Sequence, residues 1–325
     1  MFNALPKQRS VQTQLDPSGQ PLMVFPGRTV LFDDMKSALN ARANHFWHPG
    51  GSNQKLRNFT WIVNMLADAD HYETALEFLA HRFADRTLPI FNRPEAILRS
   101  RRDRVWQHLD GIDNLICPQC IRFSPEHPED FVTVFADNGF TYPVLLRPQG
   151  SHSGKHLLKI DSPADWDKLH SIPWGGRGFY MTQWVDFQSS PGEWRKLRLA
   201  ITPDRVRLRH ILFSDSWLIH SALRDEDIVK RELEVLRSAN EWAELQAVGA
   251  AIRDRLPLDF FGVDLGWRAD GQFVLFEANA SMSILSYHNM PEFHQEVYRQ
   301  NINSIETDVW RALQQITGIQ APSGL

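Results

Sequence analysis

Residues 258–279 constrain this chain more than any other stretch. Two apolar runs, Phe260 to Leu265 and Phe273 to Phe276, are joined through Ala269-Asp270-Gly271. Two β-prone runs meeting at an Asp-Gly turn read as an antiparallel hairpin. Asp264 interrupts the first run, and Glu277 and Asn279 close the second. Side chains two apart share a strand face, so Glu277 and Asn279 look the same way, and pairing across the hairpin can bring Asp264 beside them. A charge inside an apolar strand is costly without a partner, which argues against the plainer reading of a polar hairpin end facing water. Two carboxylates and an amide oxygen on one face form a hard-oxygen donor set, suited to Mg²⁺ that also holds nucleotide phosphates.

With 325 residues the chain can form two or three units with a sizeable core. Its 35 basic and 39 acidic residues give a net charge of −4, which offers no electrostatic case for nucleic acid or a membrane surface. No apolar stretch approaches the length of a bilayer span, and the first residues lack the apolar core of a signal peptide. The expected location is the cytoplasm. The two cysteines stand as Cys117-Pro118-Gln119-Cys120. No second Cys pair or matched His pair completes a zinc site, and the residues that follow do not open a helix as a redox motif would, so a structural role is expected.

Three units are expected. Residues 1–110 make an N-terminal α/β domain, with a short helix at 33–42, a buried strand at 59–66, a helix at 72–82 and a strand at 88–92. A charged helix or helix pair follows at 95–109. Residues 111–188 make a central unit with a Pro-rich connector at 118–128, a helix at 129–136, strands at 142–147, 156–160 and 178–185, and a helix opened by Ser162-Pro163. Residues 189–325 carry strands at 196–201 and 206–213, a long helical stretch at 225–255, the hairpin, and a last helix at 292–316.

Between two of these strands lies Arg147-Pro148-Gln149-Gly150-Ser151-His152-Ser153-Gly154-Lys155. Small residues at 150, 151, 153 and 154 let the backbone approach a ligand, and successive amides can cradle an anion. The spacing is not that of a P-loop and no helix begins there. Alone, the loop reads equally as an ordinary glycine turn.

In order, Arg104 on its helix, Arg147 before the glycine loop, Gln183-Trp184-Val185 at a strand end, Lys196 and Arg198 on one strand face, Arg209 on the next strand, and Asp264, Glu277 and Asn279 form a pattern. The pattern resembles the ATP-grasp superfamily over roughly residues 92–290, and within it the carboxylate–amine ligases similar to glutathione synthetase, D-alanine–D-alanine ligase and the glutamate ligase of a ribosomal protein. The resemblance implies an ATP-grasp fold of α+β subdomains behind an N-terminal α/β domain. It also implies ATP as cosubstrate, with Gly150, Ser151, Ser153 and Gly154 closing over its phosphates. Arg104 and Arg147 would hold the α- and β-phosphates, both arginine where lysine is commoner. Gln183, Trp184 and Val185 would border the base, Lys196 would contact the nucleotide, and Arg198 and Arg209 would act in catalysis. Mg²⁺, as two ions, would be held by Asp264, Glu277 and Asn279. An Asp-x-Arg is usual on the strand at 196–201; this chain has Lys196-Leu197-Arg198. Residues 280–290 would border the acceptor pocket.

The implied reaction turns a carboxylate into an acyl phosphate and passes it to an amine, releasing ADP and phosphate, with no enzyme nucleophile. Small-molecule or peptide substrates are the expected partners, and a homodimer is compatible. A kinase acting on a hydroxyl and a non-catalytic nucleotide-binding protein are the alternatives.

Overall fold

A computed structural model describes residues 1–7, 12–15, 19–48, 59–84, 87–151, 154–172, 174–219, 226–281 and 295–321. The N-terminal part contains β1 (Phe2–Ala4), β2 (Gln12–Leu15), β3 (Pro21–Val24), α1 (Asp33–Asn40), β4 (Phe46–His48), β5 (Ile62–Val63), α2 (Ala69–Phe83) and β6 (Ile90–Phe91). β1 pairs with β4 and β5 with β6, both in parallel, and a parallel bridge from Phe2 to Asn64 links the two pairs. Parallel strands need a crossover, which α2 supplies between β5 and β6. The α/β character expected here is present. The strand at 59–66 is much shorter than its apolar run, because Asn64 turns its side chain into hydrogen bonds with the Asn92 carbonyl (2.9 Å) and the Leu66 amide (3.0 Å). α2 starts earlier than expected because the Asp68 carboxylate accepts from the Asp70 and His71 amides at 2.8 and 3.1 Å, an N-cap.

Asn92 ties this part to the approach of the hairpin. Its Oδ1 accepts from the amides of Asp259 (2.8 Å) and Phe260 (3.0 Å), and its own amide donates to the Asp259 carboxylate at 2.5 Å. Burial raises the Asp259 carboxyl to about 6, against the pull of the Asn92 amide. A raised folded-state value contributes stability that is full below the unfolded pKa and is lost as pH rises through the folded one. Relative to Asp259→Asn, the wild type should therefore lose about 1–2 kcal/mol between pH 4 and 7. Urea unfolding of both proteins across that window checks this, and a pH-independent difference would refute it.

The middle of the chain forms α3 (Pro94–Arg99), α4 (Arg102–Leu109), β7 (Leu115–Ile116), β8 (Cys120–Phe123), α5 (Glu129–Asp137), β9 (Val144–Pro148), β10 (Leu158–Ile160) and β11 (Phe179–Gln183). An antiparallel sheet in the order β10-β9-β11-β8 packs Val144, Leu146, Phe179 and Met181 against Phe131 of α5. The segment opened by Ser162 is a 3₁₀ helix, Pro163–Ser171. Strand β8 lies inside the Pro-rich stretch that the sequence reading treats as connector.

The remainder forms β12 (Gln188–Ser190), β13 (Glu193–Ile201), β14 (Val206–Ser214), α6 (Glu226–Ser238), α7 (Ala243–Arg255), β15 (Phe261–Trp267), β16 (Phe273–Asn279) and α8 (Gln295–Thr317). The larger sheet runs β12-β13-β15-β16-β7, with β14 also paired to β13. The helical stretch at 225–255 is broken by a 3₁₀ turn, Ala239–Glu241, and the extended ψ of 91° at Trp242. Besides the bonds of Asn92, further contacts cross the expected boundaries. β7 joins β16 in parallel, so Leu115 and Ile116 belong to the larger sheet rather than the central unit. α8 returns to the N-terminal part, where the Trp310 indole donates to Asp34 at 2.8 Å and Val309 and Leu313 share a core with Leu31, Met35 and Leu39. Among the described residues no helix is long and apolar enough to cross a membrane.

Candidate active site

The two sheets face each other across a cavity of about 530 Å³. On the larger sheet, strand register builds a row of side chains perpendicular to the strands. Glu277 of β16 stands opposite Asp264 of β15, Asp264 opposite Arg198 of β13, and Arg198 opposite His210 of β14. Lys196 lies two residues before Arg198 and so shares its face. All five line the cavity, as does Asn279 at the open end of the hairpin.

Electrostatics lock the row. Asp264 is 4% exposed. Its carboxylate accepts from Arg198 Nε (2.8 Å) and Nη2 (2.9 Å) and from Lys196 Nζ (2.8 Å). Burial alone would raise this carboxyl, but Lys196 and Arg198 hold it well below the usual carboxylate range. Glu277 pairs with the Arg102 guanidinium and accepts from the Asn279 amide nitrogen. Burial, then the charges of Arg198 and Arg209, keep the His210 imidazole neutral.

On the opposite side β9 contributes Leu145 and Arg147, β11 contributes Thr182 and Gln183, and the loop after β9 contributes Gly154. Arg147 donates to the backbone and side-chain oxygens of Ser151. Among the described residues no carboxylate pairs with it. Burial, and then the charge of Arg102, lowers its pKa to about 9. Gly150 and Gly154 both hold a φ of +67°, a backbone region that favours glycine. The Gly150 amide donates to the Asp70 carboxylate of α2 at 3.2 Å, which anchors the loop to the N-terminal part. Gly150 and Ser151 stand beside the cavity rather than in its lining; Ser153 lies outside the described residues, as do His152 and residues 282–290 of the expected acceptor pocket.

The far half of the cavity is apolar. Leu157, Trp184, Val185, Leu212, Trp217 and Val274 line it as an apolar slot. Trp184 lies under Lys159 Nζ at 4.6 Å and meets Trp217 edge-on at 5.3 Å. Gln183 borders the cavity, but its amide is engaged elsewhere, donating to the carbonyls of Thr141 (2.9 Å) and Pro143 (3.1 Å) and accepting from the Thr141 amide (3.1 Å). It acts as a brace for the strand end.

Two expected residues stand elsewhere. Arg104 is exposed and does not line the cavity; the arginine of α4 that enters it is Arg102, which also donates to the Phe276 carbonyl at 3.1 Å. Two residues along a helix differ by about 200°, so the two guanidinium groups leave on opposite sides. The signal was available, since at about 100° per residue Arg102 falls within roughly 20° of the azimuth of Leu109 and Arg104 about 140° from it, and Leu109 is buried. Arg209 is the second correction. The β13–β14 register shifts between Arg198 and Leu199, leaving Arg209 as the extra residue of a bulge. Its guanidinium lies 5.7 Å from the Tyr298 ring of α8, and it is absent from the cavity lining. Sequence reasoning also passed over His210, which carries no local motif and enters only through register.

Mg²⁺ requires oxygen donors at about 2.0–2.1 Å in octahedral array. Glu277 and Asn279 suit one ion, being a carboxylate and an amide on one strand face, open to the cavity. Asp264 is the more tightly held carboxylate, with three N–H donors from Arg198 and Lys196 against one donor on each oxygen of Glu277. Among the described residues no group of three or more His, Cys, Asp or Glu side chains converges as a metal cluster.

No family model matches the chain, and no curated protein matches it. Solved structures that resemble it include a RimK domain protein ATP-grasp from Sphaerobacter thermophilus (16% identity, 96% of this chain and 100% of that one, TM-score 0.49). The VanG D-Ala:D-Ser ligase of Enterococcus faecalis is similar at 13% identity (71% and 68% covered, TM-score 0.44). A carboxyaminoimidazole ribonucleotide synthase from Aspergillus clavatus, complexed with ATP, is similar at 17% identity (75% and 58% covered, TM-score 0.42). The chain thus spans 58% of the length of that synthase.

Proposed function

We propose that this protein is an ATP-dependent ligase that activates a carboxylate as an acyl phosphate and joins it to an amine, releasing ADP and phosphate. One observation carries the reading. Among the described residues of the lining, Arg102, Arg147, Lys196 and Arg198 converge with only Asp264 and Glu277 against them, in a cavity that also holds an apolar slot bordered by Trp184. Such a lining suits a molecule with a flat ring at one end and several negative charges at the other.

The residues divide the work. The slot takes the base by stacking and burial. Arg147 from β9 and Arg102 from α4 meet phosphate oxygens from different elements, with the bidentate geometry that guanidinium offers. Arg198, held by Asp264, is pre-aimed at the terminal phosphate, where charge builds during transfer. Mg²⁺ on Glu277 and Asn279 would offset charge on the transferring phosphate when bound. An amine then attacks the acyl carbon and phosphate leaves. Enzyme nucleophiles are not needed, and the thiols of Cys117 and Cys120, both pushed up to about 12 by burial, are unsuited to be one.

Product analysis tests the reading. Phosphate and ADP should appear only when a carboxylate and an amine are both supplied. A phosphorylated product without free phosphate would replace the ligase with a kinase, and tight ATP binding without turnover would replace it with a binding protein. Within the reading, Arg102→Met should weaken nucleotide affinity about 10- to 100-fold, the range of a lost charge-assisted contact, whereas Arg104→Met should leave it within about twofold. Equal effects in a titration of both variants would overturn the choice of Arg102.

A further inference from the structure

The cavity wall answers a question that the ligase reading, on which this inference rests, leaves open: how many metal ions accompany the nucleotide. We propose that the Lys196 ammonium takes the place of one divalent ion, so that ATP binds here with a single Mg²⁺, held by Glu277 and Asn279.

Three observations support this. The first is occupancy of Asp264. Arg198 grips the carboxylate with two nitrogens and Lys196 adds a third donor at 2.8 Å. A carboxylate offers about four lone-pair sites, and three are taken by cations. A divalent ion bound there would sit against two fixed positive charges, at separations where like charges repel strongly even in a partly solvated cleft.

The second is that backbone register enforces this pairing. β13 sets Arg198 directly opposite Asp264 and Lys196 opposite Gly266, both on the cavity face. At Gly266 the place of a side chain is taken by the rings of Phe276 and Phe187, which a Cβ would meet at 2.6 and 2.8 Å, and Lys196 reaches along the strand to Asp264. An acid at 196 would give this face a second carboxylate, as the usual Asp-x-Arg does; lysine reverses the charge at that place. Glu277 differs. Its cation, Arg102, comes from a separate helix and has another acceptor in the Phe276 carbonyl at 3.1 Å, so it can release Glu277 without losing every partner.

The third is the charge of the lining. Among the described residues of the lining, four cations against two carboxylates leave the wall positive by two. One divalent ion brings it to about the magnitude of the charge on a nucleoside triphosphate; a second ion would overshoot it. An ammonium delivers its charge without a coordination shell, which suits a place where the oxygen donors are already used.

The experiment counts ions. Mn²⁺ is titrated into the protein saturated with a non-hydrolysable ATP analogue, and free Mn²⁺ is read by electron paramagnetic resonance. One bound Mn²⁺ per chain is expected. Lys196→Asp should raise the count to two, with the new ion lost at least 10-fold more easily in Lys196→Met, which removes the charge and adds no oxygen. Two ions in the wild type with the analogue bound would overturn this inference alone, whether or not the variants fold. A folded Lys196→Asp that stays at one ion would also overturn it. Absence of analogue binding at any Mn²⁺ concentration would remove the ligase reading together with this one.

Discussion

Glu277→Gln is expected to lower kcat/KM by at least about 100-fold, the upper range reported for changes one shell further from a metal, while leaving the protein folded. The substitution keeps size and the acceptor for the Asn279 amide, and removes only the negative charge. That charge has two partners at stake: the Arg102 guanidinium, and the cation that the nucleotide would bring. Loss of the charge should cost little stability, because glutamine keeps an oxygen that can accept from Arg102, and Arg102 also donates to the Phe276 carbonyl at 3.1 Å. The melting temperature should therefore move by only a few degrees. Steady-state kinetics alongside a thermal melt separate the two effects. Near-normal turnover would remove Glu277 from the metal site, and a collapsed melt would recast it as a structural residue.

What could be read from the chain beforehand follows the range of the interactions involved. The hairpin is local: Asp264, Glu277 and the Asp-Gly turn lie within one short stretch, and strand alternation plus turn chemistry suffice to set their faces. The Asp264–Glu277 pairing was accordingly legible. The row that extends it through Arg198 to His210 depends on β13 lying between β14 and β15, and the β13–β15 pairing joins residues more than sixty positions apart that no local pattern aligns. The bulge that turns Arg209 away lies where the alternation of Val206-Arg207-Leu208-Arg209 breaks at His210, a break that does not by itself say which of the two side chains leaves the cavity face. Arg104 differs in kind: helical phase places Arg102 inward, and the order of basic residues along the chain does not reveal that phase. Gln183 is a third kind of case, bordering the cavity as expected with its side-chain amide turned to other partners. Its position at the strand end was foreseen, but whether an amide recognises a ligand or braces a neighbouring turn is decided by Thr141 and Pro143, which approach through tertiary packing. At the ends of the chain, the contact of Trp310 with Asp34 brings together residues that sequence reading assigns to separate domains.

Arg147→Met should show the opposite balance to a structural arginine: weaker nucleotide binding with no loss of stability, or a gain. To the fold alone Arg147 is a cost. Burial lowers its pKa to about 9, with Arg102 adding repulsion, and its only hydrogen-bond partners among the described residues are the neutral oxygens of Ser151. Methionine keeps the stem of the side chain and discards the desolvated charge, so the repulsion with Arg102 disappears and little packing is lost. A phosphate group is the missing counter-charge. Its removal from reach of a guanidinium should cost about 1.5–3 kcal/mol of binding, or roughly 10- to 150-fold in affinity. The melting temperature without nucleotide should hold or rise, while the upward shift produced by a fixed nucleotide concentration should shrink, because that shift follows the ratio of ligand concentration to Kd. Arg147→Lys should fall between the two, keeping the charge and losing the two-point contact. Should the methionine variant melt lower and bind nucleotide as tightly as the wild type, Arg147 would be a brace for the glycine loop through Ser151, and phosphate recognition would rest on Arg102, Lys196 and Arg198 alone.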